Sequence, residues 1–388
     1  MWSKGVIEKS AGDAIAALGI APDFICKQPD ASWIHRRSDS ADWYFVALDN
    51  AAPVKFEASF RQTGRIPEVW DAETGAIRDA SAWREEDGRT IVSLDYPISG
   101  SSFVVFRKGR AAARPHVTGV TATVSTRPDI APPEKPHSLV IKKDVPPPLD
   151  WEWRDGAILA WQPMTAEIAM SDGTTKKVAA LPPAGTLVAG PWQVSFPAGW
   201  DAPASATFDS LIQWNEHDDN GIKYFSGTAT YRKKVSGVRR QGSGERVMLD
   251  LGDVKNFAEV TVNGKKFPVL WRPPFRVDVT DVIGERGTGN GERGVLDIEI
   301  KVTNLWPNRL IGDDRRFEDD CEWTDGTKKG PKDVYIKKIP QWVREGKPSP
   351  TGRHTFTTFK HWSKEDDLLP SGLLGPVTIC FGALAEDR

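Results

Sequence analysis

The chain has 388 residues, 39% hydrophobic and 27% charged, an ordinary globular composition with length enough for two or three domains. Its 51 Lys+Arg against 53 Asp+Glu leave a net charge of −2 with no basic stripe, which excludes the electrostatic footprint of a nucleic-acid binder. The 34 Gly and 29 Pro favour many turns and short strands over long helices.

The 16 Trp outnumber the 5 Tyr and equal the 16 Phe, a bias that suits thick sandwich cores or sugar-stacking surfaces. Three Cys (Cys26, Cys321, Cys380) are widely spaced and form no Cys-x-x-Cys pair, so a structural zinc site is not expected and their disulfide state stays open. No stretch near the N-terminus is apolar for long enough to serve as a signal peptide or a membrane span. No membrane partner is expected, and the compartment is left open.

In chain order, Gly5 to Lys9 reads as a short strand. Ser10 then caps a helix that carries Ile15 and Leu18 and ends at Gly19. A lone parallel strand cannot bury both faces by itself, so residues 1–24 read as the βα remnant of a larger α/β domain. Residues 25–110 read as a small antiparallel sandwich, with strands at Trp43–Leu48, Val54–Phe60, Arg89–Leu94 and Ser102–Arg107 and a turn at Asp71–Gly75. Residues 111–189 read as a Pro-rich linker, Arg110 to Pro148, followed by strands around the Ser171-Asp172-Gly173 turn.

Residues 190–388 read as a second β domain. Its strands fall at Gly227–Lys233, Arg246–Leu251, Ala258–Val262, Phe275–Val279, Leu296–Val302 and Gly375–Phe381. Asn263-Gly264 is a strong hairpin signal, because both central residues of that turn take positive φ. From Leu296 to Val302 apolar and polar residues alternate strictly. The run then breaks at Asn304-Leu305-Trp306-Pro307-Asn308, which reads as a rigid, Trp-bearing turn at a sandwich rim. The fold expected is mainly β: two antiparallel β-sandwich units, the C-terminal one a jelly roll, with a short N-terminal βα remnant.

Several segments carry a resemblance. Tyr224 to Tyr231, Leu249 to Gly252 and Glu259 to Gly264 resemble the galactose-binding-like, sugar-binding jelly roll of glycoside hydrolases. Asn304 to Asp313 and Ser371 to Val377 resemble the C-terminal region of family 106 α-L-rhamnosidases, as do Ile34 to Arg36, Trp43 to Val46 and Pro67 to Gly75. Members of that family hold their catalytic glutamates and a sugar-contacting calcium in a large N-terminal barrel. The resemblance therefore implies that this chain begins at the last βα unit of such a barrel and lacks its catalytic acid and base. No catalytic residue is assigned. The partners implied are that barrel, in cis or in trans, and a rhamnose-containing glycan.

For carbohydrate, Trp306 with Asn308, Arg309 and Asp313 is the best constellation, an aromatic face beside hydroxyl-binding groups. Trp214, Trp271, Trp323 and Trp362 also fall in or beside expected loops. The competing reading has Trp306 and Arg309 lock the turn against the sandwich, or against the missing barrel. Glu216-His217-Asp218-Asp219, Asp313-Asp314 and Glu318 to Glu322 offer carboxylates to a hydrolase, but each lies in a charge-mixed stretch where solvated side chains are the ordinary case. Asp313, Asp314, Glu318, Asp319 and Asp320 are candidate calcium ligands, although the spacing is not that of an EF-hand and Arg315 and Arg316 interrupt it. His35-Arg36 reads as reaching a neighbouring domain or pairing with Asp39 or Asp42. The function expected is that of an accessory, non-catalytic region of a rhamnosidase-like glycoside hydrolase. Still open are a free-standing carbohydrate-binding module, a structural fragment of a split gene, and a diverged hydrolase using Glu216 or Asp313.

Overall fold

The computed structural model describes residue 15 and residues 17–111, 115–125, 151–154, 156–240, 244–283, 294–324 and 334–387. The strand expected at Gly5–Lys9, the Ser10 cap and residues 112–114 and 126–148 of the Pro-rich run lie outside the described residues. Of the N-terminal helix only its end is described. There Ile20 N–H donates to Ile15 O at 3.3 Å and Gly19 takes φ +65°, the left-handed stop a helix C-terminus favours.

The chain is mainly β, with several antiparallel sheets in two compact units. One unit takes its described residues from Met1–Arg127, Pro147–Leu181 and Leu384–Arg388, the other from Pro182–Ala383. Among the described residues no helix is long and apolar enough to cross a membrane.

The first unit contains a four-stranded sheet in the order Phe24–Cys26, Val54–Phe60, Arg89–Tyr96, Trp83–Glu86. It also contains a five-stranded sheet in the order Ala31–Arg37, Ala41–Leu48, Ser101–Arg107, Pro67–Asp71, Ile77–Asp79. Alternation drives both. Tyr44, Val46 and Leu48 on one face of Ala41–Leu48 are buried with Phe56, Ala58 and Phe60 of Val54–Phe60 in one apolar core. The turn at Asp71 forms as expected, its Oδ1 accepting from the backbone N–H of Glu73 and Thr74 at 2.8 Å. Alternation was not enough to show Ala31–Arg37, an edge strand with five of seven residues exposed.

A further sheet of this unit corrects the sequence reading. Val117–Val124, taken as linker, is a strand paired antiparallel to Met164–Met170, which continues to Thr175–Ala180 and Glu386–Asp387. It is an edge strand of Val, Thr, Ala and one Gly, too small-chained to stand out as a core strand.

The second unit is built on a six-stranded sheet in the order Ser205–Phe208, Trp192–Ser195, Thr228–Ser236, Val295–Thr303, Phe257–Val262, Lys265–Lys266. Val295–Thr303 is a central strand, paired along its length with Thr228–Ser236 and with Phe257–Val262. Its Leu296, Ile298, Ile300 and Val302 are buried, each at most 3% exposed. They share one core with Val247, Leu249, Val277, Ile379 and Phe381, which come from strands Arg246–Asp250, Arg276–Asp278 and Thr378–Leu384. The hairpin at Asn263-Gly264 has φ of +49° and +80°, as its sequence demands.

The segment after Val295–Thr303 is the main departure. In place of a rim turn, Pro307–Arg316 is a ten-residue α-helix with Pro307 at its first turn, where the missing N–H costs nothing. Gly312 lets this helix close on the fold, since a Cβ there would stand 2.5 Å from the Tyr224 ring.

Candidate functional site

Two asparagines fasten the Trp306 segment from either side. Asn304 accepts from Gly227 N–H at 2.9 Å and donates to Phe225 O at 2.8 Å, which ties the strand end to its neighbour. Asn308 accepts from Leu369 N–H at 2.7 Å and donates to Leu369 O at 2.7 Å. Ser226 Oγ donates to Leu305 O at 2.9 Å and accepts from Arg309 N–H at 3.2 Å, which seats the start of the helix. These bonds account for why a short helix with few apolar residues holds its position: tertiary contacts supply what its own length does not.

The four residues read as a sugar site occupy two different environments. Trp306 is 55% exposed, whereas Asn308, Arg309 and Asp313 are buried, at 2%, 0% and 0%. Asp313 Oδ2 accepts from His354 N–H at 2.9 Å and from Thr355 N–H and Oγ1 at 2.8 Å each. This corrects the reading of Asp313 as a solvated loop carboxylate. Arg309 donates from Nη2 to Trp200 O at 2.7 Å, while its Nη1 lies 3.6 Å from Asp313 Oδ1 and 3.8 Å from Asp201 Oδ2. Burial pulls the Arg309 pKa down, and the charges of Asp313 and Asp201 oppose that.

Around Trp306 the fold assembles residues that sequence reasoning missed. Trp200 packs edge-to-face against Trp306, centroids 5.7 Å apart, and its ring also lies 5.9 Å from that of His354. Asp201 Oδ2 meets His354 Nε2 at 3.0 Å and Arg316 Nη1 at 3.0 Å. Burial raises the Asp201 pKa, but the hydrogen bonds and charges of His354 and Arg316 outweigh it and hold the carboxyl below its usual range. Asp201 also has φ +62°, a left-handed conformation uncommon for a residue other than glycine. That φ is invisible in sequence, although the Trp-Asp pair among Gly199, Ala202 and Pro203 was a signal for a tight, aromatic-bearing turn.

The other candidates divide. Trp214 is core: it is fully buried and donates from Nε1 to Tyr231 Oη at 2.6 Å, so it does not serve as a surface platform. Trp271 is 53% exposed, and Trp323 and Trp362 are half-buried. Asp219 caps the short Asn220–Lys223 helix, accepting from Gly221 N–H at 2.7 Å. Glu216 accepts from Gln213 Nε2 at 3.3 Å. His35 faces Asp42 Oδ1 and Asp23 Oδ2, both at 3.0 Å, so of the pairings offered it is Asp42 that forms.

The calcium candidates do not converge on one cation. Asp313 is used by backbone donors, and Asp314 and Asp319 share Arg353 (3.5 and 3.7 Å) and Lys360 (3.6 and 3.3 Å). Asp319 and Asp320 do bring ligand atoms within 4.8 Å of each other, but with Cys321 as the third member. A thiol and two flanking cations do not fit a hard, oxygen-seeking ion.

The model of glycoside hydrolase family 106, described as alpha-L-rhamnosidase, matches residues 3–84. A protein of Formosa agariphila that bears the name beta-glucuronidase is 26% identical over 98% of this chain and 45% of its own length. The structure of a rhamnosidase from Novosphingobium sp. PP1Y superposes with a TM-score of 0.60 at 27% identity, covering 95% of this chain and 26% of that one. The chain thus spans less than half the length of either relative. At the level of the broad family, it is homologous to rhamnosidase-like and β-glucuronidase proteins among the glycoside hydrolases.

Proposed function

We propose that this chain is the accessory, non-catalytic β-sandwich region of an α-L-rhamnosidase-like glycoside hydrolase. On this reading residues 190–388 are a galactose-binding-like jelly roll, and the chain supports a catalytic barrel present in cis or in trans. It contacts a rhamnose-containing glycan through the Trp306 face, with Asn308, Arg309 and Asp313 fixing that face from behind. The observation that carries the reading is the match of 95% of this chain to only 26% of a rhamnosidase at TM-score 0.60. The placement of the carboxylates supports it. Asp219, Asp313, Asp314 and Asp319 are each bound to local donors or cations, and no pair of them stands free across a sugar-sized cleft among the described residues.

The test is hydrolysis of an aryl α-L-rhamnoside by the purified chain. No turnover above background is expected. Turnover that survives repurification and disappears in Glu216→Gln or Asp313→Asn would replace this reading with that of a self-sufficient hydrolase.

A further inference from the structure

Resting on the reading that Trp306 contacts carbohydrate, we propose that Asp201 and His354 are the hydroxyl-binding groups of the same site, which takes one neutral pyranose unit with Trp306 as its stacking face. Trp200 links the two halves of this surface, one edge against Trp306 and its ring near His354. Aromatic and polar groups thus converge from the 200–201 turn, the Pro307–Arg316 helix and the segment around His354. Aromatic faces beside a few fixed polar groups are what a pyranose needs, apolar C–H surface on one side and hydroxyls at the rim.

Asp201 is presented, not merely exposed. Its left-handed backbone, φ +62°, costs of order 1 kcal/mol and persists only where neighbours over-determine it. Gly221 is one such neighbour: a Cβ there would stand 2.1 Å from Asp201 O, so the Asn220–Lys223 helix presses directly on this peptide. The side chain is 35% exposed, and Oδ2 alone carries its contacts to His354, Arg316 and Arg309. Asp201 Oδ1 and His354 Nδ1 have no bond to a described residue. Arg309, fully buried behind the carboxylate, has Nε and Nη1 without hydrogen bonds and holds its charge toward Asp201.

Charge decides the class of sugar. Asp201 and Asp313 balance Arg309 and Arg316, so the cluster offers no surplus cation to an anionic ligand. The open acceptor is a carboxylate oxygen, which accepts a hydrogen bond from a hydroxyl and repels a second carboxylate. A neutral deoxy- or hexopyranose fits this surface, and a uronate does not.

Isothermal titration calorimetry of the whole chain with methyl α-L-rhamnopyranoside and methyl β-D-glucuronide tests the assignment. Saturable rhamnoside binding is expected, lost in Trp306→Ala and weakened at least about tenfold in Asp201→Asn, the loss of a hydrogen bond to a charged group. His354→Gln weakens it as well, and the glucuronide binds at least about tenfold more weakly than the rhamnoside. Asn tolerates the left-handed backbone at 201, so that variant adds no backbone strain, and an unchanged far-UV circular dichroism spectrum checks that it is folded. Binding that Trp306→Ala abolishes but Asp201→Asn and His354→Gln leave intact overturns this assignment while sparing the Trp306 contact. Equal affinity for the glucuronide overturns the charge argument. Absence of binding by either sugar removes both this site and the glycan contact on which it rests.

Discussion

Asp313 and Arg309 show how a charged residue is stabilised inside a fold. Asp313 satisfies three donors from His354 and Thr355, and among the described residues its ion-pair partner is the equally buried Arg309. Asp313→Ala therefore leaves three donors without their acceptor and removes the nearer of the two carboxylates that face the buried guanidinium, and about 3–5 kcal/mol of stability is expected to be lost in urea unfolding. Arg309→Met is expected to cost less, because the Asp313 carboxylate keeps its three donors. Asp42 makes the corresponding case for pH. Burial alone would raise its pKa, but hydrogen bonds from Arg37, Arg65 and His35 outweigh burial and lower it from 3.8 to about 2. The depressed value means that this stabilisation is complete above the unfolded pKa and is lost as pH falls from about 4 toward 2. The carboxylate is 2% exposed but its partner Arg37 is 65% exposed, so solvent screening makes about 2 kcal/mol an upper bound on the contribution. Urea midpoints at pH 5 and pH 2.5 are expected to converge more in Asp42→Asn than in the parent chain.

The element that would carry the proposed site is the Pro307–Arg316 helix, and its close approach to the fold depends on one glycine. A methyl at Gly312 would meet the Tyr224 ring at 2.5 Å, so Gly312→Ala is expected to cost about 1–3 kcal/mol, read as a fall in melting temperature. A control at Gly264, where nothing lies within 4 Å, pays only for its positive φ. Elements differed in how far they could be read from sequence. Val295–Thr303 was legible because four buried aliphatics alternate with four polar residues and the pattern needs no partner to be seen. The helix that follows was not, because Asn304, Pro307 and Asn308 are turn formers by local preference. Their asparagine side chains instead bond to Phe225, Gly227 and Leu369, far along the chain. Val117–Val124 was missed for the opposite reason: as a small-residue edge strand it pairs well but buries little.

Over the whole molecule, each of the two units has its own apolar core, while the chain covers only a fraction of its relatives' lengths. That combination is the reason to expect no hydrolysis of an aryl α-L-rhamnoside from the chain alone and to look for glycan contact instead. Alternation and turn chemistry were enough, with no structure, to determine a mainly β chain and the Asn263-Gly264 hairpin, and short segments such as Asn304 to Asp313 carried the resemblance to glycoside hydrolases. These depend on neighbours in sequence or on short motifs. Only the tertiary structure decided that Arg309 and Asp313 are interior while Trp306 faces water, and that Asp201 meets His354 and Arg316. Burial and ion pairing are settled by which distant segments pack together, and a charged residue carries the same letter in a solvated loop as in a core.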